Sequence, residues 1–180
     1  MARLKIASVW LGGCSGCHMS FLDMDEFLFD LAAKADYVFG PFVDAKHYPE
    51  DVDLVLLEGA VCNVEHLEMV KKVRARTKTV VSFGDCAVTG NVTALRNPLG
   101  GADCVLEHVY LHGGNRAAQI PAEPGIVPML LDRVVPVHMV IPVDFFIPGC
   151  PPPAPRIRAV VEAVLNGQTP RLVGEDIRFG

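Results

Sequence analysis

Four short apolar runs, each ending in a loop that contains glycine or cysteine, set the limits on what this chain can fold into. They are 5–11 (KIASVWL), 53–58 (DLVLLE), 78–83 (KTVVSF) and 144–147 (DFFI). Runs this short and this continuously apolar suit strands covered on both faces, as in a parallel sheet. A fifth strand is read at 36–40. Helical spacing separates them. Over 19–34, Phe21, Met24, Leu28, Leu31 and Ala32 share one face, with Asp23, Glu26 and Asp30 between them and Ser20 predicted as the N-cap. Asn63 is predicted to cap a helix over 64–76, with Val64, Leu67, Val70 and Val73 inward and Lys71, Lys72, Arg74 and Arg76 in its last turns. Ile157, Val160, Val161, Val164 and Leu165 mark a closing helix stopped at Gly167 and Pro170.

Strands alternating with helices imply right-handed βαβ units. The expected fold class is α/β: a flavodoxin-like, doubly wound, mainly parallel five-stranded sheet of order 2-1-3-4-5, formed as a single domain over 1–180. Residues 91–142 fit that scheme poorly. They are rich in glycine and proline and long for a loop. We expect an excursion before the last strand, with a short helix near 105–111, lying against a partner.

Composition excludes several classes. A chain that is 51% hydrophobic with a net charge of −5 is not disordered. With 16 Lys and Arg against 21 Asp and Glu, it lacks the positive charge of a nucleic-acid binder. No run of about 18 apolar residues exists, so no membrane span is expected. The stretch 6–11 follows two positive charges but lacks a small-x-small cleavage site, so the chain is expected to be unexported and cytoplasmic. High apolar content without a span implies surface covered by a partner subunit.

In a reducing compartment, six cysteines are thiols or metal ligands before they are disulfides. Cys14 and Cys17 follow the first strand as C-x-x-C. Cys86 lies three residues beyond Phe83, and Cys150 three beyond Ile147. Loops that follow strands of an open parallel sheet emerge at its carboxyl edge, where ligands bind. Four thiols would therefore meet there. A cubane iron–sulfur cluster tolerates such dispersed ligands, one per iron. Zinc in a small stapled domain more often takes two close pairs. A redox C-x-x-C and ordinary buried thiols are the other readings. Gly12, Gly13, Gly16, Gly84 and Gly149 let backbone approach a bound group, while Pro148 and Pro151 to Pro153 stiffen the last loop. Cys62 and Cys104 are expected to be structural.

Trp10-Leu11, Cys14-Ser15-Gly16-Cys17 and Ser20-Phe21-Leu22 together resemble the first motif of nickel–iron hydrogenase small subunits. Gly84-Asp85-Cys86-Ala87, with Gly90 and Asn97-Pro98-Leu99-Gly100, resembles their second, and Pro148-Gly149-Cys150-Pro151-Pro152 their third. The 20 kDa subunit of respiratory complex I is similar in the second and third motifs but has adjacent cysteines in the first. The chain as written carries neither a twin-arginine signal nor a C-terminal region for two more clusters. The soluble NAD-reducing type is thus the expected group, with F420- or heterodisulfide-linked enzymes and sulfhydrogenases as near relatives.

The resemblance implies an electron-relay subunit holding one 4Fe–4S cluster on Cys14, Cys17, Cys86 and Cys150. It implies a large partner subunit with a nickel–iron centre, and diaphorase subunits with FMN, further clusters and NAD. The alternatives are a relay subunit of a quinone-reducing complex and a zinc-stapled interaction domain. No G-x-G-x-x-G follows a strand, so NAD is not placed on this chain.

Glu58-Gly59 ends the third strand at the cysteine edge. It reads either as a solvated strand end or, as in related small subunits, as an interface carboxylate relaying protons or holding water. His18 could face a cluster sulfur or pack in its loop. His108 and His112 have i, i+4 spacing but no further ligand type nearby, and are not expected to bind metal.

Overall fold

The computed structural model describes residues 3–114 and 118–179. Its centre is a five-stranded sheet built from β1 (Leu4–Trp10), β2 (Ala35–Phe39), β3 (Val52–Glu58), β5 (Thr77–Phe83) and β7 (Phe145–Ile147). The strands lie in the order β2-β1-β3-β5-β7, and every neighbouring pair is parallel. Counted within this sheet alone, that is the expected 2-1-3-4-5. A separate antiparallel ribbon pairs β4 (Val61–Asn63) with β6 (Leu130–Val135).

The pleat sends alternate residues to opposite faces, and both faces are covered. On one side Ile6, Leu54, Leu56, Val81 and Phe83 pack with α1 (Gly16–Leu22), α2 (Phe27–Lys34) and α6 (Ala154–Leu165), through Phe21, Phe27, Leu31, Ile157, Val160 and Val161. On the other, Ala7, Val9, Val55, Leu57 and Val80 pack against Val70 and Val73 of α3 (Val64–Arg76) and against Val137 and Ile141. Asn63 caps α3 as expected, its side chain accepting the backbone N–H of His66 at 2.8 Å.

The register matters most for function. Trp10 pairs with Glu58, Glu58 with Phe83, and Phe83 with Ile147. The last residues of four strands thus form one row, and the loops that follow leave from the same level of the carboxyl edge.

Two local expectations are corrected. The helix predicted over 19–34 is two helices, α1 and α2, with Asp25 at φ 48 in the turn between them. Ser20 caps neither; it sits inside α1 and its hydroxyl donates to the Pro152 carbonyl at 2.5 Å. The excursion has the expected helical segment near 105–111, as a helix and a π-helical turn, and carries further structure besides. α4 (Asp85–Thr89) leads into it, and it holds a 3₁₀ stretch (Asn91–Leu99), α5 (Ala102–Leu106), a π-helical turn (Glu107–Leu111) and β6. Side chains tie it down: Arg96 donates to the carbonyls of Cys62, Leu131 and Asp132, and Asn97 pairs with the Val134 backbone. Among the described residues, no helix is long and apolar enough to cross a membrane.

Candidate metal centre

Beyond the row of strand ends, the three cysteine-bearing loops close around one small cavity of about 70 Å³. Cys14, Cys17, Cys86 and Cys150 line it, together with the carboxylates of Glu58 and Asp85. Cys17 and Cys86 are buried, while Cys14 and Cys150 are exposed, so the site reaches from the interior to the surface.

The loops pack too closely for side chains at key points. Gly84 has φ 82, and a Cβ there would lie 2.1 Å from the Cys17 sulfur. Gly59, at φ 90, would drive a Cβ to 2.8 Å from the backbone of Gly12. Only glycine meets both demands, of conformation and of space. Gly12 and Ala60 are joined by two backbone hydrogen bonds, 3.0 and 2.8 Å, which seat the first cysteine loop on the end of β3.

Glu58 is 2% exposed. Its carboxylate accepts the backbone N–H of His18 at 3.0 Å and of Cys17 at 3.4 Å, and it also pairs with the His18 imidazole. The other imidazole nitrogen lies 2.6 Å from the Ser8 hydroxyl. Nδ1–H donation to Glu58, with Nε2 accepting from Ser8, satisfies the ring on both sides. The carboxylate is therefore not a solvated strand end.

Electrostatically the site is built for a cation. Burial, then Cys150 and Cys14, push the Cys86 thiol up to about 11. Burial, then Glu58, and then the other cysteines raise Cys17 still further above the ordinary thiol range. Among the described residues that line the cavity, none is Lys or Arg. Thiolates so placed are stable only when positive charge is bound among them.

The donor set fits an iron–sulfur cluster. Its sulfurs frame a cavity from several sides, and a cubane takes one thiolate per iron, so its ligands stand apart. No three Cys, His, Asp or Glu side chains among the described residues gather as closely as one ion requires.

Of the other residues singled out by sequence, Cys62 is half-buried, its thiol directed to the Ala60 carbonyl at 3.4 Å, and Cys104 is exposed in α5. His108 lies in the π-helical turn and His112 caps it. None of these lines the cysteine cavity. Two residues to which the sequence reading assigns no role touch the site. Asp85 bonds across to the Cys150 loop, its Oδ1 accepting the Gly149 N–H at 2.6 Å. Asn91 directs its amide to the Cys150 sulfur at 3.4 Å. The one available signal was a carboxylate directly before Cys86.

Comparison with known proteins identifies the family of the chain. The family described as NADH ubiquinone oxidoreductase, 20 kDa subunit, matches residues 14–164. A subunit of the F420-non-reducing hydrogenase of Methanothermobacter marburgensis is 42% identical over 171 residues, covering 92% of this chain and 54% of that protein. The delta subunit of the NAD-reducing hydrogenase HoxS of Cupriavidus necator is 37% identical over 172 residues, covering 92% of this chain and 80% of that one. A chain in the crystal structure of an NAD+-reducing NiFe hydrogenase in the H2-reduced state superimposes with a TM-score of 0.94 at 34% identity, over 99% of this chain and 100% of that one. The chain spans about half the length of the Methanothermobacter relatives it matches.

Proposed function

Because the chain belongs to the 20 kDa subunit family of NADH ubiquinone oxidoreductase, and has hydrogenase subunits among its relatives, we propose that it is the electron-relay small subunit of a nickel–iron hydrogenase. Cys14, Cys17, Cys86 and Cys150 would hold one 4Fe–4S cluster. The observation that carries this reading is the convergence of four thiols from three loops on one cavity at the carboxyl edge of the sheet.

When bound there, a cluster would supply one-electron transfer between the nickel–iron site of a large partner subunit and a diaphorase module with FMN, further clusters and NAD. This chain's residues do the rest. Cys17 and Cys86, which are buried, would hold the cluster from the interior, and Cys14 and Cys150, which are exposed, from the surface side. Glu58 holds the backbone of the C-x-x-C loop, and it remains our candidate for relaying a proton or holding a water beside the electron path. A cytoplasmic location goes with the NAD-linked reading.

The test is co-expression with the large subunit, followed by metal analysis and activity assay. Nickel in the partner and hydrogen-dependent reduction of NAD by the whole assembly support the proposal. A partner without nickel that reduces quinone instead overturns it. The 42% identity to a subunit of an F420-non-reducing hydrogenase favours a second acceptor reading. In that case the purified assembly takes up hydrogen with a dye acceptor but leaves NAD unreduced.

A further inference from the structure

The structure assigns Asp85 as a positioning residue of the cysteine site: it locks the Cys150 loop to the Cys86 loop and keeps a negative charge beside the bound group. This rests on the cluster reading above.

Asp85 is 5% exposed and belongs to the cavity wall. Its side-chain Oδ1 accepts the backbone N–H of Gly149 at 2.6 Å. Its own backbone N–H donates to the Gly149 carbonyl at 2.9 Å. Two loops 64 residues apart in sequence thus exchange a pair of hydrogen bonds. Each partner directly precedes a cysteine, Asp85 before Cys86 and Gly149 before Cys150. The neighbouring bond, from the Gly84 N–H to the Ile147 carbonyl at 2.8 Å, continues the β5–β7 pairing outward. The clamp therefore lies just beyond the ends of β5 and β7, where the helix Asp85–Thr89 begins.

Gly149 cannot easily be replaced in this role. Its φ is 134, and a Cβ would lie 2.5 Å from the Pro152 backbone. The Asp85 bond is charge-assisted and shielded from water, which makes it one of the stronger bonds available to hold a loop. The charge also has a direction of effect. A carboxylate beside four thiolates disfavours adding an electron to the cluster, so it lowers the potential at which the cluster is reduced.

The experiment uses the co-purified complex with the large subunit and compares wild type, Asp85→Asn and Asp85→Ala. The readouts are iron and sulfide content, the electron paramagnetic resonance of the reduced cluster, its midpoint potential, and amide hydrogen exchange at Gly149. Asp85→Asn still offers an acceptor to Gly149. It should keep its iron and its spectrum while the potential moves upward. Asp85→Ala should lose half or more of its iron and exchange the Gly149 amide about tenfold faster, as expected for one lost buried bond. Full iron, unchanged potential and unchanged exchange in Asp85→Ala would overturn the clamp. An unmoved potential in Asp85→Asn would overturn the charge effect. A wild-type complex without iron would sink the cluster reading instead, and Gly149 exchange would still decide the clamp.

Discussion

The carboxylate of Glu58, at the end of β3, accepts the backbone N–H of His18 at 3.0 Å, joining two positions 40 residues apart in sequence. The C-x-x-C loop is thus hung from the central strand by a buried acid that also faces the cysteine cavity. Replacing Glu58 with Gln keeps the shape and one acceptor but removes the titratable group. We predict a cluster that still assembles, with hydrogen turnover slowed roughly a hundredfold, the low end of what a positioned acid–base group contributes. Turnover unchanged across pH would reduce Glu58 to a loop anchor.

The ligand assignment separates the six cysteines into two groups. Cys86→Ser or Cys150→Ser should lose or convert the cluster and abolish hydrogen-dependent NAD reduction, while the diaphorase reaction survives. Cys62→Ser and Cys104→Ser should leave the cluster spectrum intact, because neither side chain lines the cavity. A Cys62 variant that behaved like the Cys86 variant would break the assignment.

The parts of this arrangement visible in the sequence were those set by local pattern. The continuous apolar runs of β1, β3, β5 and β7 announce buried parallel strands, and the common direction of β1, β5 and β7 places Cys14, Cys86 and Cys150 at one edge. What the sequence hid depends on contacts between distant segments. Ser20 looks like a cap because caps and tertiary donors use the same residue type; the Pro152 carbonyl, reached only after folding, decides between them. β4 is three residues long and pairs with β6 across most of the excursion, so neither has enough pattern to stand out. The sequence shows Glu58 at a strand end, but its bonds to Cys17 and His18 follow from β1–β3 pairing. Asp85 stands in the second motif without a visible role, because its partner, Gly149, lies in another loop.

His66 gives the fold a pH signature. It is half-buried, and burial pushes its pKa below the ordinary histidine value, with Glu65 opposing in part. The unfolded chain therefore takes up the proton first, and folded stability falls as pH drops below about 6.5 until the folded group itself protonates. Its Nδ1 also accepts the Cys62 N–H at 3.3 Å, a bond that protonation at that nitrogen destroys. Unfolding midpoints of wild type and His66→Gln between pH 7 and pH 5 should diverge, with the wild type losing more. Parallel curves would contradict this.

Asn97 acts like a piece of strand. Its amide donates to the Val134 carbonyl and accepts the Val134 N–H, both at 2.8 Å. Asn97→Ala leaves both backbone groups without these partners and should cost about 1–3 kcal/mol in urea unfolding. Asn97→Asp keeps one acceptor and should fall between. A cost below about 0.5 kcal/mol, the level of an ordinary surface change, would show that the excursion does not depend on this pair.

If the four thiols at the carboxyl edge hold one iron–sulfur cluster, the metal and sulfide content of this chain is fixed. Iron, acid-labile sulfide and zinc, measured per chain on anaerobically purified protein with its large subunit and corrected for the partner's own metal, test that reading most directly. The account predicts about four irons and four sulfides on this chain, lost together in Cys86→Ser. About one zinc with no sulfide would contradict it.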